Sequence, residues 1–121
     1  MWLESAGETA GVAADSAAFA ELVPLIRDIW IESEPRNGCD RALRDEIVVR
    51  SSIHNQVFAS NDAGERQDML VTAVRDAAAS STGDMIEIEL IPRAGRAGLV
   101  VTGKMLEDIA ASGHGLRLVA R

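Results

Sequence analysis

Between Asp62 and Ile91 the hydrophobic pattern changes its period once, and this change constrains the fold more than any other feature of the 121 residues. Asp62 stands three residues before Glu65, close to a capping box, in which side-chain oxygens take up the free N–H groups of a helix's first turn. From there Met69, Leu70, Ala73, Val74, Ala77 and Ala78 fall on one helical face, and Ser80-Ser81-Thr82-Gly83 closes the helix. Met85–Ile91 then alternates, with Ile86, Ile88 and Leu90 on one side and Glu87 and Glu89 on the other. That order reads as an amphipathic helix leading into a half-buried strand whose glutamates lie on a solvated face. Each element has one apolar side to cover, so a layered arrangement follows.

The flanking segments are read in the same way. Residues 1–14 are a loosely ordered lead-in, because 6–14 are small and show little periodicity. From Asp15, Phe19, Leu22, Val23, Ile26 and Trp30 recur at helical spacing. Pro24 conflicts with this: inside a helix it removes a hydrogen bond, so the helix is either kinked there or begins near Pro24. Pro35, Asn37-Gly38 and Asp40 mark a turn. Arg41–Ser60 admits two readings: Leu43, Ile47 and Arg50 fit a helix, but the short β-branched run Glu46–Ile53 favours a strand, followed by an extended piece at Gln56-Val57-Phe58. Pro92–Gly98 reads as a hairpin-type connection, with Leu99-Val100-Val101 as the antiparallel partner of the alternating strand. Thr102 caps a short helix carrying Met105, Leu106, Ile109 and Ala110, which stops at Gly113. Residues 116–121 fit a strand or a helix. The expected fold class is α/β: a two-layer sandwich in one domain, its mainly antiparallel sheet covered on one face by helices.

Twelve Lys and Arg against nineteen Asp and Glu give a net charge of −7. This opposes binding to nucleic acid through phosphate neutralisation, and opposes docking on an anionic membrane. Cys39 is the sole cysteine, so no intrachain disulfide forms, and a reducing, cytoplasmic setting fits. No run approaches eighteen apolar residues, and the N-terminus lacks a signal-peptide profile. His54 and His114 read as surface or turn histidines, and Trp2 and Trp30 as packing residues. No Ser/His/Asp set, Cys/His pair or metal cluster is apparent, which points away from an enzyme. Residues 92–121 carry five basic side chains against two acidic ones, so an anion would find that region first.

Four features occur in a telling order. They are the extended stretch Ile47–Ile53 followed by Val57–Asp62, the helix after Asp62, the run Thr72–Asp84 into Met85–Ile91, and Ser112-Gly113-His114-Gly115-Leu116. Together they resemble the ATP-binding domain of sensor histidine kinases and their relatives among the anti-sigma factors and gyrases. The resemblance implies ATP and Mg²⁺ as cofactors. It places Asp76 where the family's metal-holding Asn stands, and Gly103, Gly113 and Gly115 at nucleotide-contacting positions. Such glycines let backbone N–H groups approach phosphates at a helix N-terminus. Thr72 replaces the family's acidic residue, Val101-Thr102-Gly103-Lys104 lacks its adenine-reading Asp, and Gly103 to Gly113 leaves no room for a nucleotide lid. The implied function is a protein-interaction module on this scaffold, of a bacterial two-component type and defective in ATP turnover, with a protein partner and a homodimer left open. The alternative is an acidic inhibitor or immunity-type binding protein for a basic partner.

Overall fold

The computed structural model describes residues 2–6, 9–35, 38–80 and 85–120. The fold mixes helix and sheet. In chain order the elements are β1 (Trp2–Ala6), β2 (Thr9–Ala14), α1 (Ser16–Leu22), β3 (Ile29–Ser33), β4 (Glu46–Arg50), β5 (Asn55–Ala59), α2 (Ala63–Ser80), β6 (Met85–Ile91), β7 (Ala97–Val101), α3 (Gly103–Ala111) and β8 (Gly115–Ala120). A six-stranded sheet runs β1-β2-β8-β6-β4-β5, and β3 and β7 form a separate two-stranded ribbon. All pairings are antiparallel except β6 with β8.

The period change at 62–91 is realised on its apolar faces. Asp62 Oδ1 accepts from the Glu65 N–H at 2.8 Å. Leu70, Ala73, Val74, Ala77 and Ala78 are buried on α2. Ile86, Ile88 and Leu90 are fully buried on β6. Register places Ile47 and Val49 of β4, and Leu116, Leu118 and Ala120 of β8, on the same face as those three. That face, the three helices and the inner side of the ribbon share one apolar core, with Phe19, Leu99, Leu106 and Ile109 at 0–1% exposure. Truncating a residue packed this tightly removes both transfer energy and contacts, about 2–5 kcal/mol for Leu or Ile to Ala.

Several expectations are corrected. The lead-in carries β1 and β2. The helix from Asp15 ends at Leu22, and Val23-Pro24-Leu25 forms a single 3₁₀ turn with Pro24 in its first positions. Proline has no N–H to continue the helical ladder, so the chain leaves the helix and Trp30 lies in strand β3. The extended stretch 46–53 is strand only to Arg50, and a tight turn with Ser51 N–H donating to His54 O returns it as β5. Leu99–Val101 is not the partner of β6: both edges of β6 are taken, by β4 and β8, and β7 pairs with β3. Residues 115–120 are strand. The helix stop at Ser81–Gly83, the Arg36-Asn37 part of the turn and Arg121 lie outside the described residues. Among the described residues no helix is long and apolar enough to cross a membrane.

Candidate functional site

The structure does not gather the sequence-derived site residues around one cavity. Asp76 is exposed on α2. Gly103 opens α3, and its N–H donates to Asp28 Oδ1 at 2.8 Å. Gly113 lies past the other end of that nine-residue helix, about 13 Å along its axis. Its φ is +77°, and its N–H donates to the Ala110 carbonyl at 3.0 Å while His114 N–H reaches the Ile109 carbonyl. This is a helix C-terminus, where the exposed carbonyls carry partial negative charge, the reverse of a phosphate cradle. Gly115 begins a strand rather than a helix. A Cβ there would stand 2.6 Å from the Ala14 carbonyl oxygen and 3.0 Å from Met85 Sδ, so this glycine serves the close approach of neighbouring strands. The residues therefore do not fit a shared Mg-ATP site. Among the described residues no group of three or more His, Cys, Asp or Glu side chains could hold a metal.

Gly103 does line a cleft of about 670 Å³ between the 3₁₀ turn and the start of α3. The cleft wall holds Arg27 and Lys104 but also Asp28 and Glu107. Its charges balance, and Asp28 already occupies the Gly103 N–H. Thr102 Oγ1 likewise accepts from the Met105 N–H at 3.3 Å. Two of the N–H groups that would greet an anion, those of Gly103 and Met105, are thus used internally.

From this cleft the β3–β7 ribbon leads outward. Its inner side chains, including Leu99 and Val101, join the core. Its outer side carries Trp30, which is 59% exposed, a correction to its reading as a packing residue. The ring lies over Gly98, where any Cβ would overlap it. Two residues along the same strand, Glu32 accepts from Arg96 Nη2 at 2.6 Å. The Arg96 guanidinium first, and a hydrogen bond from the Trp30 side chain second, hold the Glu32 carboxyl below the usual glutamate range. Gln67 of α2 covers the outer edge of β7, taking the Val100 N–H at 3.1 Å and donating to the Val100 carbonyl. The ribbon is therefore fixed in place although one face is uncovered.

Polar burial accounts for the other residues the sequence did not disclose. On the six-stranded sheet's second face, Arg50, Glu87 and Arg117 stand in one row across β4, β6 and β8. Arg50 Nε lies 2.9 Å from Glu87 and its Nη2 lies 2.7 Å from Glu89. Glu89 is only 3% exposed between Val48 and Val119, so the solvated face expected for both glutamates holds for neither in full. His114 is buried, not a surface residue, and its Nε2 lies 3.1 Å from the Ala78 carbonyl. Asp45 and Arg66 are buried as well: Asp45 Oδ1 accepts from the Arg93 and Ala94 N–H groups, and Arg66 donates to the Ser60 carbonyl. The isolated Asp45 and Arg66 lacked any local pattern that would have singled them out. Compared with protein-family models, with characterised proteins and with solved structures, the chain matches none.

Proposed function

We propose that this chain is a cytoplasmic protein-interaction module that does not turn over ATP. Its finer architecture is a two-layer sandwich, with helices on one face of a mainly antiparallel sheet. The observation that carries the reading is Trp30, a large aromatic side chain held open on a ribbon whose position is otherwise fixed. Trp and Arg side chains dominate binding energy at protein interfaces, and Arg96 stands beside it. A partner with a basic surface fits a chain of net charge −7, since opposite fields speed the encounter. The likeness to histidine-kinase-type domains enters as scaffold only. The helix-to-strand unit α2–β6 supports it, while the hairpin expected between β6 and Leu99–Val101 has no counterpart because β7 joins β3.

Two measurements test this reading. Trp30→Ser is expected to change the unfolding free energy by less than about 1.5 kcal/mol in urea titration, because the ring is mostly solvated. A loss of about 3–5 kcal/mol, typical of a buried aromatic, would make Trp30 a packing residue and remove the interaction surface. Amide spectra recorded with Mg-ATP and a non-hydrolysable analogue, up to millimolar concentration, are expected to show no saturable shift at Asp76, Gly103 or Gly113–Leu116. Saturable shifts at those positions would establish a nucleotide site and sink the reading.

A further inference from the structure

The six-stranded sheet ends at β5, and no described element pairs with the far side of that strand. Open strand edges invite another strand, and proteins usually protect them with charge, proline, a bulge or a covering loop. β5 reads Asn55-Gln56-Val57-Phe58-Ala59, with no charge and no proline in a chain that is 26% charged. Its phase can be read from two flanking bonds. Ser51 N–H donates to His54 O at 2.7 Å, and Ser60 N–H donates to Asp45 O at 3.1 Å. Hydrogen-bonded pairs alternate along an antiparallel ladder, so Gln56 and Phe58 bond inward to β4. Asn55, Val57 and Ala59 therefore turn their N–H and C=O groups outward. Val57 is 56% exposed.

We propose that this edge pairs with β5 of a second copy of the chain, antiparallel and centred on Val57. A two-fold axis there sets Val57 opposite Val57 of the second copy, and Asn55 opposite Ala59 of the second copy, with outward groups meeting outward groups. Three observations favour a second copy over an unrelated strand. First, no like charges meet at the seam although each chain carries −7. Second, the next open-face positions in β4 are Glu46, level with Ala59, and Arg50, level with Asn55. The two-fold axis therefore aligns the Glu46 row of one copy with the Arg50 row of the other, and both charges are already paired within their own copy, so no like charges confront each other beside the seam. Third, the same register brings Ile53, 70% exposed in the β4–β5 turn, level with Asn61 of the second copy. Asn61 Nδ2 holds the Leu43 carbonyl at 2.9 Å, and Leu43 is itself 45% exposed. The exposed Ile53 of one copy thus comes to the neighbourhood of the exposed Leu43 of the other at each end of the seam. The inference uses a different surface from Trp30 and stands or falls separately from the proposed function.

Sedimentation velocity and light scattering on the full chain test the proposal. The unmodified chain is expected to run at twice the monomer mass at micromolar concentration. Val57→Pro removes an outward N–H and leaves the ladder to β4 intact, and should halve the mass. Val57→Lys, which places two ammonium groups together on the axis, should do the same without a proline's backbone demand. Val71→Lys, on an exposed position of α2, should stay dimeric. Val57→Cys in a Cys39→Ser background should be joined across the axis by a short bis-maleimide, because facing Cα atoms of a hydrogen-bonded pair are about 5.5 Å apart, within such a linker's reach though not suited to a relaxed disulfide. A chain that is monomeric throughout, or a dimer that survives Val57→Lys, or failure of Val57→Cys to cross-link would each overturn the proposal. Binding of an unrelated extended peptide to a monomeric chain would overturn it too.

Discussion

Asp45→Ala is expected to lower the unfolding free energy by about 3–5 kcal/mol, the range for removing one partner from a buried charged pair. The carboxylate is 5% exposed and works on two sides at once. Its Oδ1 accepts from the Arg93 and Ala94 N–H groups at 2.8 and 3.0 Å, and its Oδ2 lies 3.5 Å from Arg66 Nη1. Alanine leaves those two amides without their acceptor and strands the equally buried guanidinium, with the Ser60 carbonyl as its remaining bonded neighbour. The connection between β6 and β7 is also held by the Asp40 N–H on the Arg93 carbonyl, so it should loosen rather than detach. Urea titration gives the energy, and amide exchange at Arg93 and Ala94 locates it. Asp45→Asn keeps an acceptor oxygen of the same shape and should lose less. A loss below about 1 kcal/mol for the alanine variant would show that the network contributes little beyond shape.

Gly115→Ala should destabilise the fold by about 1–3 kcal/mol through overpacking. The added methyl would meet the Ala14 carbonyl oxygen at 2.6 Å and the chain of Asp15 at 3.1 Å, and backbone yields less readily than a side-chain tip. Amide shifts should spread from residue 115 into Ala14 and Met85. Gly95→Ala is the matched control, because a Cβ there meets nothing within 4 Å, and it should be close to neutral. If both variants were neutral, the close approach of β8 to β2 would not be what keeps glycine at 115. The contrast also separates two explanations of the Gly113-His114-Gly115 sequence: a phosphate-binding turn needs no carbonyl packed against Gly115, whereas a strand junction does.

Local pattern and nonlocal structure part company at identifiable residues. The α2–β6 unit was legible because its cap and both of its periods lie within thirty consecutive positions. Helix α3 was legible for the same reason, with Thr102 and the spacing of Met105, Leu106 and Ile109 in view. Trp30 misled because its spacing from Phe19 and Ile26 happens to be helical. Its true partner, Val100, lies far along the chain. The hairpin reading of Pro92–Gly98 failed for a topological reason: β8, made later, occupies the edge of β6 that β7 would need. Glu89 alternates with apolar neighbours as a surface glutamate does. Its position between Val48 and Val119, and the reach of Arg50 to its carboxylate, go with its burial, and none of these is visible locally. The glycines were visible as glycines, but whether a missing Cβ makes room for a ligand or for another strand depends on what lies opposite.

The place of β8 has a consequence for how the chain is made. In the sheet it stands between β2 and β6, although nearly the whole chain separates it from β2. The β1–β2 hairpin therefore has no sheet to join until synthesis has passed Ala120. At ordinary translation speeds that is a wait of roughly 5–20 s after Ala14 is added. Once Ile91 has been added, β2 and β6 each keep one edge unsatisfied until β8 is made, and both point toward the same vacant slot. Growth of the nascent chain cannot build this sheet outward from one side. Its last strand is a keystone, and the half-built forms that precede it are the ones most exposed to pairing with the wrong neighbour.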